Sequence, residues 1–180
     1  RFPLFFPEKR DFFLENSGQF NVSSASAFSR YADLFFSRRI GISDAGDNVP
    51  IRGGARLAGK IGRNDIAIMD VQTGDAFGNS GENFLVAKYS RNLWSRSRIG
   101  GLMINKSQTN GSDFNRTYAL DMSLAPHPSL TVMGFLAKTE TAPSTARSAG
   151  TDPQDETGSY VNATWLDSDW RIYGEYADFG

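Results

Sequence analysis

The chain has 180 residues, with 19 Lys and Arg against 20 Asp and Glu, one His and no Cys, and a formal net charge of −1. Because affinity for nucleic acid depends on neutralising phosphates, this balance argues against a nucleic-acid partner. The lack of Cys excludes disulfides, thiolate nucleophiles and Cys-ligated metal sites, and a single His excludes multi-His sites. A membrane helix needs about 18 apolar residues in a row, and the sequence has no such stretch.

Residues 1–49 are predicted to form an irregular segment. Nine of the 14 Phe lie within residues 1–36, and charged runs at 7–11 and 37–41 interrupt the aromatic pattern. The nine are Phe2, Phe5, Phe6, Phe12, Phe13, Phe20, Phe28, Phe35 and Phe36. Since neither a helical period nor strict alternation is sustained, we expect irregular structure with short strands, held by aromatic anchors, as a plug-like or inner-packing segment.

Residues 50–180 are predicted to form about eight antiparallel barrel strands, as part of an incomplete barrel. Val, Ile, Tyr, Trp, Phe and Thr are common in the strand segments, and Gly, Asn, Asp, Ser and Pro fill the gaps. The predicted segments are 52–62, 65–73, 83–92, 98–106, 116–125, 129–139, 159–166 and 169–178.

The gaps between these segments alternate broadly in length. Tight or intermediate connections are expected at 63–64, 93–97, 126–128 and 167–169. Long polar gaps are expected at 74–82, 107–115 and 141–158. Short turns at one rim and long loops at the other are typical of an outer-membrane barrel, whereas a soluble sandwich has no need of them. We therefore predict an all-β, up-and-down antiparallel fold of the transmembrane-barrel type, whose polar lumen residues explain a mean hydropathy of −0.39.

Side-chain alternation supports this prediction in only half of the segments. Apolar and polar residues separate onto two faces in 55–61, 117–124, 161–165 and 170–176. Both faces are apolar in 66–71, 83–89, 99–104 and 130–137. These strands either face an inner packing segment, which the Phe-rich residues can supply, or form the core of a soluble sandwich. Trp94, Trp165 and Trp170 fall near strand ends, as in an aromatic girdle or in any β-protein.

Charged residues of the N-terminal segment and of the predicted inner face are the candidate site. The functional hypothesis is a polar plug or gate that pairs with lumen charges, and the alternative is an ion-pair network that only fixes the N-terminal segment. The candidates are Arg10, Arg38, Arg39, Arg56, Lys60, Asp121, Arg171 and Glu175.

The sequence predicts no catalytic residue, cofactor or metal site. Asp121 and Glu175 are the right residue types for a glycosidase pair, but nothing in the sequence places them together. His127 lies between two prolines and is interpreted as a turn residue. The oxygen ligands at 44–48 lack the spacing of a Ca²⁺ loop.

Three linked motifs resemble a known family. They are FPEKRDFFLEN (6–16), LFFSRRIG (34–41) and PIRGGARLAGKIGR (50–63). In this order and spacing they resemble the C-terminal region of uncharacterised bacterial proteins. In that family a β-sandwich related to family-nine carbohydrate-binding modules precedes a domain of unknown function similar to an outer-membrane barrel. From residue 64 onward the resemblance depends on strand rhythm alone.

The resemblance implies that this chain is an internal fragment, since the carbohydrate-binding module and part of a large barrel are absent and the sequence opens at Arg1 without a leader. It also implies a link to glycan binding or uptake through the missing module. We expect a bacterial outer-membrane location with the lipid bilayer as partner and no enzyme activity. The alternative is a secreted or periplasmic all-β module that binds carbohydrate or assists a glycoside hydrolase.

Overall fold

Eight strands make up one antiparallel sheet in a computed structural model of the chain, which describes residues 9–15, 17–20, 37–43, 46–78, 80–143 and 156–179. The strands are β1 (Ile51–Ile61), β2 (Asn64–Thr73), β3 (Glu82–Trp94), β4 (Ser97–Gln108), β5 (Phe114–His127), β6 (Leu130–Thr141), β7 (Glu156–Leu166) and β8 (Arg171–Phe179). Each strand pairs with its neighbours in chain order, so β1 and β8 lie at the two edges. The predicted all-β, up-and-down antiparallel fold is confirmed.

The connections between strands lie at two opposite rims of the sheet, one with short turns and one with long loops. The short-turn rim consists of residues 62–63, 95–96, 128–129 and 167–170. The long-loop rim lies at the connections after β2, β4 and β6, and its described residues are 74–78, 80–81, 109–113 and 142–143. The third connection, expected at 93–97, is a tight turn of residues 95–96. It is short because β3 continues past a bulge and pairs Trp94 with Ser97. Gly62 adopts a φ of 61° in the first turn, a conformation that glycine accepts without steric cost.

The two faces of the sheet differ in what covers them. The inner face is the one that carries Arg56, Met69, Lys88, Asp121 and Tyr160, and the outer face is the opposite one. The buried large apolar side chains of the strands all belong to the inner face. They are Met69, Val71, Val86, Leu102, Phe135 and Tyr160.

Part of the N-terminal segment packs on this inner face. Its described residues form one short helix, α1 (Asp11–Leu14), and two 3₁₀ helices, Ser17–Gln19 and Ser37–Arg39, where short strands were expected. Phe13, Phe20 and Ile40 join one buried cluster with the inner-face residues of β2 to β7. Burying each such side chain stabilises the packing by about 1.5–3 kcal/mol. This contact explains why several strands are apolar on both faces.

Six of the nine N-terminal Phe residues lie outside the described residues, as do Glu8, the first part of the 44–48 loop and most of the sixth connection. In the part of the chain that the structure describes, no helix has both the length and the apolar character needed to cross a bilayer.

Candidate functional site

Arg10 holds the N-terminal segment together from within. It precedes α1, and its Nη1 donates to the carbonyl of Ile40 at 2.7 Å while Nη2 donates to the carbonyl of Ser37 at 3.0 Å. The guanidinium also lies 4.2 Å from the ring centre of Phe13. Arg10 therefore ties α1 to the 3₁₀ helix Ser37–Arg39.

Arg38 and Arg39, the next two candidates, differ in how much of each residue the structure describes. The backbone of Arg38 lies in the 3₁₀ helix Ser37–Arg39, and its side chain lies outside the described residues. Arg39 is exposed, and its carbonyl accepts a hydrogen bond from the N–H of Ile42 at 3.3 Å. The structure thus gives Arg39 a backbone contact within the N-terminal segment.

Arg56 joins the sheet to the N-terminal segment. Its guanidinium donates to the carbonyls of Phe12 and Glu15 and forms an ion pair with the Glu15 carboxylate. It also lies 5.5 Å from the ring centre of Phe12. Lys60, two inward positions further along β1, is exposed at the short-turn end. Of these two candidates on β1, Arg56 is the one with a described contact to the segment.

A buried ion pair lies at the centre of the inner face. Lys88 of β3 and Asp121 of β5 form a hydrogen-bonded ion pair, and both side chains are almost completely buried. The two strands are separated by β4, whose Gly100 lies directly opposite Asp121. A Cβ on Gly100 would lie 2.9 Å from Asp121 Oδ1 and 3.0 Å from the Tyr89 carbonyl oxygen. The missing side chain at Gly100 therefore lets the pair bridge β4.

A second polar cluster occupies the inner face of β7 and β8. Asn162 Nδ2 donates to the Tyr160 hydroxyl at 2.8 Å, and that hydroxyl donates to Glu175 Oε2 at 3.2 Å. Tyr173 donates to the same carboxylate. Asn162 is buried, and its Oδ1 has no hydrogen-bond partner within the described part of the chain. Arg171, on the same face of β8, is exposed.

Asp121 and Glu175 lie on strands three positions apart. The row that starts at Asp121 passes through Phe135 and Tyr160 to Ala177, two residues beyond Glu175. With a strand spacing of about 4.8 Å, the backbones are about 14 Å apart along the sheet. Glycosidase carboxyl groups lie about 5–9.5 Å apart and face one substrate. Asp121 binds Lys88 on the side away from β8, and Glu175 accepts from Tyr160 and Tyr173, so these contacts do not support a catalytic pair. Among the described residues, no three His, Asp or Glu side chains cluster as metal ligands.

The outer face exposes large apolar side chains on all eight strands. Leu120 is 66% exposed and Leu136 is 62% exposed, although both lie in the middle of the sheet. Besides Trp94 at the end of β3, the outer-face strand residues of this kind with at least 37% exposure are Leu57, Ile61, Ile68, Tyr89, Ile99, Tyr118, Leu120, Leu136, Val161, Ile172 and Tyr176. We call this set, together with Met122, Leu124 and Val132 between its members, the apolar band.

The apolar band runs diagonally across the hydrogen-bonded rows. One row begins at the apolar Ile61 of β1, is polar at Asn64 and Arg91, and is apolar from Ile99 through Met122 to Tyr176 at the other edge. The next row is apolar at Tyr89, Leu120 and Leu136 but becomes polar at Ser159 and Asp178. From β2 to β8 the band therefore shifts toward the short-turn rim. The strands are thus tilted relative to the apolar band.

Sequence reasoning missed Lys88 and the Tyr160–Asn162 pair. Lys88 shares the inner side of β3 with Val86 and Ser90. The only sequence sign of its role was a single cation within an apolar run. Tyr160 and Asn162 lie two residues apart on the same face of β7, and polarity alone gave no sign that their side chains bond to each other. Comparison of the chain with family models, with curated proteins and with solved structures found no match.

Proposed function

We propose that the sheet is part of the wall of an outer-membrane β-barrel, with the apolar band against lipid hydrocarbon. The observation that carries the proposal is the diagonal course of this band. A lipid slab is flat, and barrel strands cross it at a tilt of about 35–45°. The lipid-facing residues then form a level belt that cuts diagonally across the rows, as the apolar band does.

The inner face supports the same proposal because it tolerates charge. Lys88, Asp121 and Arg56 all point to this side and all form ion pairs. On the lipid side a Lys or Arg costs about 2–4 kcal/mol at the bilayer midplane. The segregation of these charges onto the face that the N-terminal segment covers is what a lumen with an inner packing segment requires.

In this proposal the protein acts by binding and passage, without covalent chemistry. The family resemblance adds glycan binding or uptake as the expected purpose, and that link stays a prediction. A soluble carbohydrate-binding module is the competing function, because Trp170 and Tyr173 expose rings that can stack on sugars.

The test is insertion into phosphatidylcholine vesicles from urea, followed by flotation on a density gradient. We expect the chain to float with the vesicles and to keep its β-structure there. Leu120→Arg introduces a charge at the centre of the apolar band and is expected to reduce insertion by about 2–4 kcal/mol.

Ser112→Arg is the matched control, because the same side chain is added to an exposed loop at the long-loop rim. It should insert like the unchanged chain. A chain that is monodisperse in buffer without detergent and does not float would overturn the proposal and favour the soluble module. Equal insertion of the two variants would also overturn it.

A further inference from the structure

The two rims of the sheet use their cations differently. At the long-loop rim, Arg52 pairs with Asp75 at 3.4 Å, Lys106 pairs with Glu82 at 2.8 Å, and Lys138 pairs with Glu140 at 3.2 Å. The remaining ion pairs that the structure describes lie on the inner face. These three cations of the long-loop rim are therefore neutralised within the chain.

At the short-turn rim, three exposed arginines have no such neutralisation. Arg63 lies in the first turn, Arg91 at the outer face near the end of β3, and Arg96 in the second short turn. None of the three forms an ion pair with a residue that the structure describes. Their known contacts are weak ones to carbonyls: Arg63 to Leu93 at 3.3 Å, and Arg96 to the His127 and Pro128 carbonyls at 3.3 and 3.2 Å.

The acidic residues nearby do not compensate these arginines. Asp65 points to the inner face, where it accepts a hydrogen bond from Asn92. Asp167 lies in the last turn, at the opposite end of the rim, and is engaged by Trp165 and by backbone N–H groups. Within the described residues, these three arginines of the first half of the rim therefore have no ion-pair partner.

The position of the arginines relative to the apolar band identifies the partner. Arg91 lies one outward position beyond Tyr89, where the band ends on β3, and Trp94 follows with 63% of its surface exposed. Arginine next to exposed Trp at the edge of an apolar belt is the arrangement of the headgroup level of a bilayer. Guanidinium groups match phosphate geometry and can donate several hydrogen bonds to it.

We propose that Arg63, Arg91 and Arg96 form a basic rim that binds the phosphate groups of anionic phospholipids at the short-turn surface of the membrane. This inference rests on the proposed function, because it requires the apolar band to lie in lipid. The partner is the bilayer surface and not free phosphate, because only a bilayer also supplies the hydrocarbon that contacts the apolar band.

The test compares vesicles of phosphatidylcholine with vesicles of equal parts phosphatidylcholine and phosphatidylglycerol. The unchanged chain should partition more strongly into the anionic vesicles, by roughly fivefold for each engaged arginine. The triple variant Arg63→Gln, Arg91→Gln and Arg96→Gln should lose this preference, which for three arginines is on the order of a hundredfold. Salt of about 1 M should abolish the preference by screening.

The matched control removes the same number of charges from the other rim, through Arg52→Gln, Lys106→Gln and Lys138→Gln. It should keep the preference for anionic vesicles, and far-ultraviolet circular dichroism verifies that both variants retain β-structure. Insertion into both vesicle types with no preference, or equal loss in the two variants, overturns this inference alone. Failure to associate with either vesicle type overturns the proposed function and this inference with it.

Discussion

The inner and outer faces of the sheet accommodate unfavourable groups in opposite ways. On the inner face, Lys88 and Asp121 are charged groups removed from solvent, and each is compensated by the other. On the outer face, Leu120 and Leu136 are apolar groups left exposed, and the described residues do not cover them. This buried pair is thus compensated within the chain, whereas the exposed leucines have no cover among the described residues. Substitutions that remove one member of an ion pair should destabilise the inner face. Substitutions that add a polar group should affect the outer face.

The largest effect is expected from Lys88→Met, which removes the ammonium group from the buried Asp121 carboxylate. Breaking a buried ion pair from one side costs about 3–5 kcal/mol. The free energy of unfolding, measured by guanidinium titration in one detergent, reports this loss. Lys138→Met is the matched control, because Lys138 forms an ion pair with Glu140 that is solvent-exposed and worth at most about 1 kcal/mol. Similar losses in both variants would contradict the difference that we draw between buried and exposed pairs.

A smaller effect is expected from the adjacent glycines of β4, which face opposite sides. Gly100→Ala places a methyl group against Asp121 and the Tyr89 carbonyl and should destabilise by about 1–3 kcal/mol. Gly101→Ala meets only ordinary contacts, the nearest at 3.5 Å to Leu120 Cδ2. It should be neutral or stabilising by up to about 1 kcal/mol, since glycine within a strand is entropically unfavourable. Equal losses of unfolding free energy would show that the two faces are packed alike.

The smallest effect is expected at the last short turn, outside both faces. The Trp165 indole N–H, with the backbone N–H groups of Asp169 and Trp170, lowers the pKa of Asp167 below its ordinary value. Stability from this turn is therefore fully present above the unfolded pKa of about 4 and is lost as the pH falls through the folded pKa. The NMR shift of the Trp165 indole N–H should follow this titration.

Asp167→Asn should abolish that pH dependence, while Asp169→Asn in the same turn should leave it in place. A Trp165 signal that titrates unchanged in the Asp167 variant would show that another group is responsible.

Much of the sheet could be predicted from the sequence because its signals are local. Alternation at 117–124 placed Leu120 and Asp121 on opposite faces, and turn residues delimited all eight strands. The strand ends were less certain, since β3 continues through a bulge to Trp94 where polarity alone suggested an earlier end. The two-sided apolar strands indicated that something covers the inner face, and Phe13 and Phe20 do so.

The candidate site was less predictable because its contacts depend on register. The sequence predicts Asp121 as a lumen charge. Its partner Lys88 lies 33 residues away in sequence and reaches it only across Gly100. The same holds for Arg56, whose acceptors lie on α1 and at Glu15. No periodicity encodes such contacts between distant segments, and only the pairing of the strands brings the groups together.

The Lys88–Asp121 bridge has a consequence for how the sheet opens. Since the bridge passes over β4 and joins β3 to β5, the middle strand cannot separate from either neighbour while the bridge remains intact. The three strands should therefore behave as one cooperative unit in native-state hydrogen exchange, with amide protons that share a single opening free energy. β1 and β8, which each pair with one neighbour in the described sheet, lie outside this unit and should exchange independently of it.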